Sequence, residues 1–289
     1  MNTVFDFFRL IRWLNLAIII LTQYAAAWCL SPHNSIVYFF ELRFTLFVTG
    51  TVLIAAAGYI LNDYMDVKLD LVNKPDKVVI GNTISRRRAM IWHSVFNGTA
   101  LLIGVFLSIK IATIFLFSEL LLWTYSSRLK RKFFSGNFAV AVLTAVSILV
   151  LPVFDASILW RPIIAYAVFA FLLTLIREIV KDMEDMKGDA GHNCETLPIV
   201  LGLRPTKQII RSILLLLMLA VLAYAVREAQ FIGWFFFSYG VITVLIPMIY
   251  LLIELNRADK KKDFSRLSTW CKVIMFTGIF SMLFFKIIH

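Results

Sequence analysis

Charge is scarce in this 289-residue chain. Asp, Glu, Lys and Arg make up 16 % of it, against about 25 % in an average soluble domain. Cysteine is rarer still. Cys29, Cys194 and Cys271 show neither metal spacing nor a disulfide framework. The four histidines, His33, His93, His192 and His289, form no cluster, which argues against zinc. No polar stretch is long enough for a separate soluble domain. The longest are 62–90, 181–208 and 254–269. The glycine at position six and glutamate at position twelve of an EF-hand are missing from both acidic stretches, so that kind of calcium loop is excluded.

What the chain does have is apolar sequence in long blocks, 60 % of its residues in all. A membrane helix needs about 20 mostly apolar residues. Nine blocks qualify, at roughly 14–30, 36–61, 91–109, 111–127, 138–154, 162–180, 209–226, 231–253 and 270–288. They are too long and continuous for the alternating strands of a barrel. Helices satisfy their backbone groups in lipid, so the expectation is an all-α membrane protein of about nine transmembrane helices, with residues 1–289 as one polytopic domain. The third and fourth blocks nearly touch, and a tight turn near Lys110 is expected between them.

The net charge of +11 does not require nucleic acid as a partner. With the N-terminus inside, 24 of the 29 Lys and Arg residues fall on inner segments and five on outer ones: Arg43, Lys110, Arg161, Arg227 and Lys286. That is the positive-inside pattern. It puts the 62–90, 181–208 and 254–269 segments in the cytoplasm and the C-terminus outside, as expected of a cytoplasmic (inner) membrane protein.

Two of the inner segments carry the acids that matter. One reads Asn62-Asp63-Tyr64-Met65-Asp66-Val67-Lys68-Leu69-Asp70, the other Asp182-Met183-Glu184-Asp185-Met186-Lys187-Gly188-Asp189. Both contain Asp-x-x-Asp-x-x-x-Asp, and both continue an apolar helix off its inner end. The duplication is a weak internal repeat and fits two related helical halves. Positions i, i+3 and i+7 share one helix face. Asp63, Asp66 and Asp70 therefore point one way, with Asn62 beside them. Asp182, Asp185 and Asp189 do the same, with Glu178 one turn earlier. Glu184 is expected to point away from that face. Three carboxylates on one face repel each other unless a cation neutralises them. Hard oxygen ligands suit Mg²⁺, which typically binds through one or two carboxylates together with substrate phosphates. Two such faces opposed across a cavity would clamp a diphosphate.

Cations near the acids could complete the clamp: Lys77 in Asn73-Lys74-Pro75-Asp76-Lys77, Lys130 and Arg131 after Tyr125-Ser126-Ser127-Arg128-Leu129, and Arg177 and Lys181 before the second motif. Each could equally be an inside-positive anchor. Glu119 is the one acid deep in an apolar block. It either pairs within the bundle or faces a cavity, and Asn15 presents the same choice. A transporter is the rival class, but its polar site would normally sit near the midplane on interrupted helices. Here the acids gather at one membrane face. A structural or assembly protein would not need the duplicated spacing.

The paired motifs, 119 residues apart within about nine helices, resemble the UbiA superfamily of intramembrane prenyltransferases, and the resemblance covers essentially the whole chain. The segments Asn73–Lys77 and Tyr125–Lys130 are also similar to loops of that family. The resemblance implies a helical ring around a central cavity open to lipid. It implies that Asn62, Asp63, Asp66, Asp70, Asp182, Asp185 and Asp189 hold Mg²⁺ and an isoprenyl diphosphate, whose allylic C–O bond breaks with carbocation character before a lipophilic acceptor attacks. Asn15, Glu119 and Tyr125 become candidate acceptor contacts. The run Arg177–Asp189, followed by Glu195-Thr196-Leu197-Pro198-Ile199, is similar to the geranylgeranylglyceryl phosphate geranylgeranyltransferases of ether-lipid synthesis. Other branches prenylate aromatic quinone precursors. Lys74 and Lys77 stand where arginine is frequent, Val78-Val79-Ile80 where prolines are common, and His192-Asn193-Cys194 where the stretch is usually rich in Gly and Arg. These departures bear on the acceptor, not on the metal ligands. Prenyl chain length and oligomeric state are not legible.

Overall fold

The computed structural model describes residues 3–32, 38, 40–73, 75–192 and 194–286. Ten helices carry the fold: α1 (Thr3–Leu10), α2 (Trp13–Leu30), α3 (Leu42–Asn73), α4 (Arg86–Leu107), α5 (Ile109–Ser127), α6 (Ser135–Leu149), α7 (Trp160–Ala190), α8 (Leu203–Ile232), α9 (Trp234–Arg257) and α10 (Lys261–Phe280). Among the described residues no strand forms beyond an isolated bridge between Ile80 and Ile84. Among the described residues, eight helices are long and apolar enough to cross a membrane: α2–α5, α7–α9, and α10 together with its short continuation to Lys286. The fifth sequence block is α6, a 15-residue apolar helix that falls short of that length. It is extended by a second short helix, Leu151–Phe154. The expected nine spans are thus supported for eight. The tight turn expected near Lys110 lies two residues earlier, at Ser108. That residue ends α4 and its hydroxyl caps α5 by accepting from the Ile111 N–H.

Helices α2, α3, α5, α6, α7 and α10 pack each against the next, and α10 returns to α2, so that they enclose a cavity of about 980 Å³. Helices α4, α8 and α9 pack outside this ring, against α3, α7 and α10 respectively. Large apolar side chains such as Leu102, Phe106, Leu219 and Phe235 are exposed on the outer helices, as a lipid-facing surface requires. In α9 a π-helical stretch, Val241–Leu245, precedes Pro247. The proline lacks a backbone donor, and such a local unwinding is a usual accommodation in spanning helices.

Length decides where the site lies. At 1.5 Å per residue, the 32 residues of α3 and the 31 of α7 reach nearly 50 Å, whereas the hydrocarbon core is about 30 Å thick. Each helix therefore overshoots by about ten residues. Those residues, beyond Leu61 in α3 and beyond Val180 in α7, carry the two acidic motifs.

Candidate active site

The two overshooting ends meet. Asn73 Nδ2 donates to Asp189 Oδ1 (3.5 Å), and the Lys261 ammonium at the start of α10 donates to the Asn73 carbonyl (2.9 Å). The close approach depends on Gly188, because a Cβ there would run into the Asn73 side chain. Asp63, Asp66 and Asp70 thus share one cavity with Asp182, Asp185 and Asp189, and Asn62, Asn73 and Glu178 line it with them.

Lys130 crosses to the first motif. Its ammonium forms an ion pair with the buried Asp66 carboxylate and donates to Asn62 Oδ1 at 3.4 Å. Burial works against the charged lysine, but the Asp66 and Asp70 carboxylates more than offset it and hold its pKa above the usual lysine range. The Leu129–Arg131 turn is held against α6 by Gly136, where a Cβ would lie 2.9 Å from the Lys130 Cα. The Glu195 N–H donates to the Arg131 carbonyl (2.8 Å), tying this turn to the loop after the second motif.

The other acids are held in different ways. Asp63 pairs with Arg12 (2.8 Å), whose guanidinium also lies 4.9 Å from the centre of the Tyr59 ring. Asp182 Oδ2 accepts from Asn137 Nδ2 at 2.7 Å. Burial pushes the Asp182 carboxyl up to about 7, the Asn137 donor opposes the rise, and Glu178 and Asp189 add to it. Burial, with Asp185 beside it, pushes Asp189 up to about 6. Asp70 is raised too, by burial first and then by Asp66 and Asp63 against Lys130. Burial is the leading cause of each rise and the neighbouring carboxylates add to it, so a cation bound among them would relieve part of the cost. Among the described residues, no three acidic side chains converge as a ready-made metal cage. Such a site suits Mg²⁺, which keeps waters and shares its coordination between one or two carboxylates and a bound phosphate.

Among the described residues, two that are not glycine adopt left-handed backbone, Arg12 (φ 53°) and Phe134 (φ 59°). Each costs about 1 kcal/mol or more. Arg12 joins α1 to α2 and presents its guanidinium to Asp63. Phe134 closes the segment that carries Lys130 and Arg131. Strain kept at both joints is consistent with geometry fixed for a site.

Most of the sequence-derived candidates line this cavity: Asn15, Asn62, Tyr125, Lys130, Arg131, Arg177, Lys181 and all six motif aspartates. Glu119 does not. Its neighbour Ser118 lines the wall, while Glu119 lies about 100° around α5 from it and leaves Oε1 buried without a hydrogen-bond partner. The side chain of Lys77 lies outside the described residues. Glu184 lines the cavity, contrary to expectation. The wall curls round the Arg177–Lys181 flank of α7, so more of the helix faces inward than its motif face alone. The sequence did not single out Asn137, Asn73 or Arg12 as site residues. Nor did it single out the α10 stripe of Ser265, Ser268, Thr269 and Lys272. A lysine eleven residues into an apolar helix was the signal available for that stripe.

The UbiA prenyltransferase family profile matches residues 16–279. The chain belongs to that family. It is an integral membrane enzyme that transfers prenyl groups. It is 33 % identical over 233 residues to the digeranylgeranylglyceryl phosphate synthase of Saccharolobus solfataricus, an alignment covering 80 % of each chain. It is 30 % identical over 262 residues to the enzyme of that name from Methanothermobacter thermautotrophicus, covering 85 % of this chain and 90 % of the other. Its fold matches a solved structure concerning digeranylgeranylglyceryl phosphate synthase in membranes, with a TM-score of 0.73 at 22 % identity, covering 98 % of this chain and 99 % of that one. It also matches a UbiA homologue from Archaeoglobus fulgidus bound to DMAPP and Mg²⁺, with a TM-score of 0.64 at 15 % identity, covering 96 % and 99 %.

Proposed function

We propose that this UbiA-family chain, as one unit over residues 1–289, transfers a geranylgeranyl group from geranylgeranyl diphosphate to the free hydroxyl of geranylgeranylglyceryl phosphate, completing the second ether chain of the lipid. The observation that carries the reading is the meeting of two acidic helix ends over a single cavity, joined by the Asn73–Asp189 hydrogen bond. Similarity to enzymes named for this acceptor supports the choice of substrate.

In this reading Asn62, Asp63, Asp66, Asp70, Asp182, Asp185 and Asp189 hold Mg²⁺ and, through it, the donor diphosphate. When bound, the ion neutralises the charge that grows on the leaving diphosphate. Lys130 and Arg131 assist from one side and Lys181 from the other, with Lys77 on the loop after the first motif. Stabilisers placed where charge develops lower the barrier to breaking the allylic C–O bond. The electron pair leaves with the diphosphate, the acceptor oxygen bonds to the allylic carbon, and the hydroxyl proton passes to an oxygen of the departing diphosphate. Tyr59 and Tyr125 line the cavity, and their ring faces can stabilise positive charge on the allylic fragment. Walls of Ile54, Phe115, Leu122 and Leu143 exclude water that would otherwise intercept it. Asn15 and Tyr125 are the acceptor contacts in this scheme.

The orientation belongs to the same reading. The N-terminus and both motifs face the cytoplasm across the cytoplasmic membrane, and the C-terminus faces out. The test incubates purified protein with Mg²⁺, geranylgeranyl diphosphate and a panel of acceptors, with products read by mass spectrometry. A doubly prenylated glyceryl phosphate is expected. Product from an aromatic quinone precursor alone would refute the acceptor. Membrane-impermeant labelling of cysteines placed near Asp66 and Asp185 should modify both from the cytoplasmic side, and labelling from opposite sides would refute the topology.

A further inference from the structure

Below the acids the cavity has a second charged tier, made of cations. Lys272 lies on α10 about 16 Å along the helix from Lys261. It lines the cavity half-buried. Among the described residues it makes no ion pair and no hydrogen bond. The principal charges acting on it are Arg177, Lys181 and Arg12, with Glu178 as the lone carboxylate among them. Glu178 is already engaged, by Arg177 at 2.7 Å and Lys181 at 3.1 Å, and Arg12 is engaged by Asp63. A lysine in a spanning helix, partly desolvated among like charges, is costly and marks a functional site. A snorkelling anchor would reach for the membrane surface, whereas Lys272 faces inward, beside the Ser268 and Thr269 of its own helix.

We infer that Lys272, with Ser268 and the Arg12 and Arg177 guanidinium groups, forms the subsite for the phosphate monoester of the acceptor, adjoining the acidic tier that holds the donor diphosphate. The inference rests on the proposed acceptor and deepens it. A phosphate monoester carries about −1.5 to −2 at pH 7 and offers three strong acceptor oxygens. It supplies the negative charge this tier lacks. The guanidinium groups suit its bidentate geometry, Lys272 a point contact. A second diphosphate subsite is the other source of the same chemistry. Position favours the acceptor: Arg177 and Glu178 lie more than a turn deeper than Asp182–Asp189, and Trp13 and Leu14, exposed on the outer surface, line the cavity beside Arg12. There a lipid-borne headgroup can enter from the side.

The experiment compares wild type with Lys272→Gln and Lys272→Arg, using geranylgeranylglyceryl phosphate and its dephosphorylated alcohol as acceptors. Donor KM and Mg²⁺ dependence are measured alongside, and each acceptor's protection of the thermal midpoint is recorded without donor. Charge-assisted contacts of about 1.5–3 kcal/mol correspond to roughly 10- to 100-fold. The KM for the phosphate acceptor should rise by that factor in Lys272→Gln and recover largely in Lys272→Arg. The alcohol's kcat/KM and the donor KM should hardly change. Loss of thermal protection by the phosphate acceptor in Lys272→Gln, with the metal-free midpoint unchanged, separates lost binding from misfolding. An unchanged preference for phosphate over alcohol refutes the subsite. A raised donor KM with that preference intact assigns the tier to the diphosphate instead. A wild-type enzyme that turns over no phosphate-bearing acceptor overturns the proposed function itself.

Discussion

Neutralising one acid of each motif separates their electrostatic roles, because the metal-free protein should respond with opposite signs. Asp66 is buried and paired with Lys130. In Asp66→Asn that ammonium keeps Asn62 and the more distant Asp70 but loses its main partner. Breaking a buried pair from one side costs about 3–5 kcal/mol when nothing compensates. With the remaining groups the cost should be about 1–3 kcal/mol. Asp189 is the reverse case. Its folded carboxyl holds a proton up to about 6, against an ordinary value of 3.8. Folding therefore takes up a proton between those values. The stability of the metal-free protein falls as pH rises through that window, and the penalty is complete above it. Two units would be about 3 kcal/mol, and screening in an open cavity trims this to roughly 1–2 kcal/mol. Asp189→Asn should remove the penalty at pH 8 and have no effect on stability near pH 4. At about 2–4 °C per kcal/mol, Asp66→Asn should melt several degrees below wild type in EDTA at pH 8, and Asp189→Asn a few degrees above it. Both should lose about 10²–10³ in turnover with Mg²⁺ and donor. Asp259→Asn, a carboxylate 80 % exposed and paired with Lys207, is the control and should change neither quantity. Shifts of the same sign in the two site variants, or normal turnover in both, would refute this assignment of the acids.

Asn137→Ala removes the donor that steadies Asp182, so Mg²⁺ affinity in a turnover titration should fall about 10–100-fold with little loss of folded protein. Gly188→Ala should drive a methyl group into Asn73 and cost about 1–3 kcal/mol in thermal melts, and Asn73→Ala should restore much of it because the obstruction is gone. Chelation with EDTA should abolish turnover and excess Mg²⁺ restore it. Full activity in EDTA would contradict the role given to the acids.

The spacing of Asp63, Asp66 and Asp70 and of Asp182, Asp185 and Asp189 made both helix faces legible, because a helix repeats its faces whatever surrounds it. The apolar blocks likewise marked the helices, to within a few residues at most ends. Three kinds of information were missing. Periodicity tells which residues share a face, not how wide an arc a cavity exposes, so Glu184 was expected on the wrong side. Partners distant in sequence leave no local pattern: Asn137 follows a basic loop and Arg12 precedes a span, and only their meeting with Asp182 and Asp63 gives them meaning. Hydropathy alone cannot distinguish a full span from the shorter α6, which ends beside the Val150 and Leu151 break and continues for one further turn.

The position of the acids follows from the two solvents the helices pass through. A carboxylate in the hydrocarbon core costs several kcal/mol, so three on one face cannot be placed there without cations. Extending α3 and α7 about ten residues beyond the membrane keeps the acids on rigid helix, in register with the spanning segment, where water, Mg²⁺ and the diphosphate group of the donor can reach them. The same rigidity carries the apolar walls of the cavity down from the acids without a break. In the proposed reaction, a diphosphate held at the mouth therefore threads its prenyl chain among residues such as Leu122 and Ile54 while its reactive carbon stays near the charged rim. The reacting bond then sits at the boundary between the two media. Charge leaving on the diphosphate is stabilised on the polar side, and the allylic fragment is kept from water on the apolar side. A loop could carry the same six acids, but it could not hold them at a fixed height above the apolar walls. That requirement gives a physical reason for both motifs to lie on uninterrupted helix.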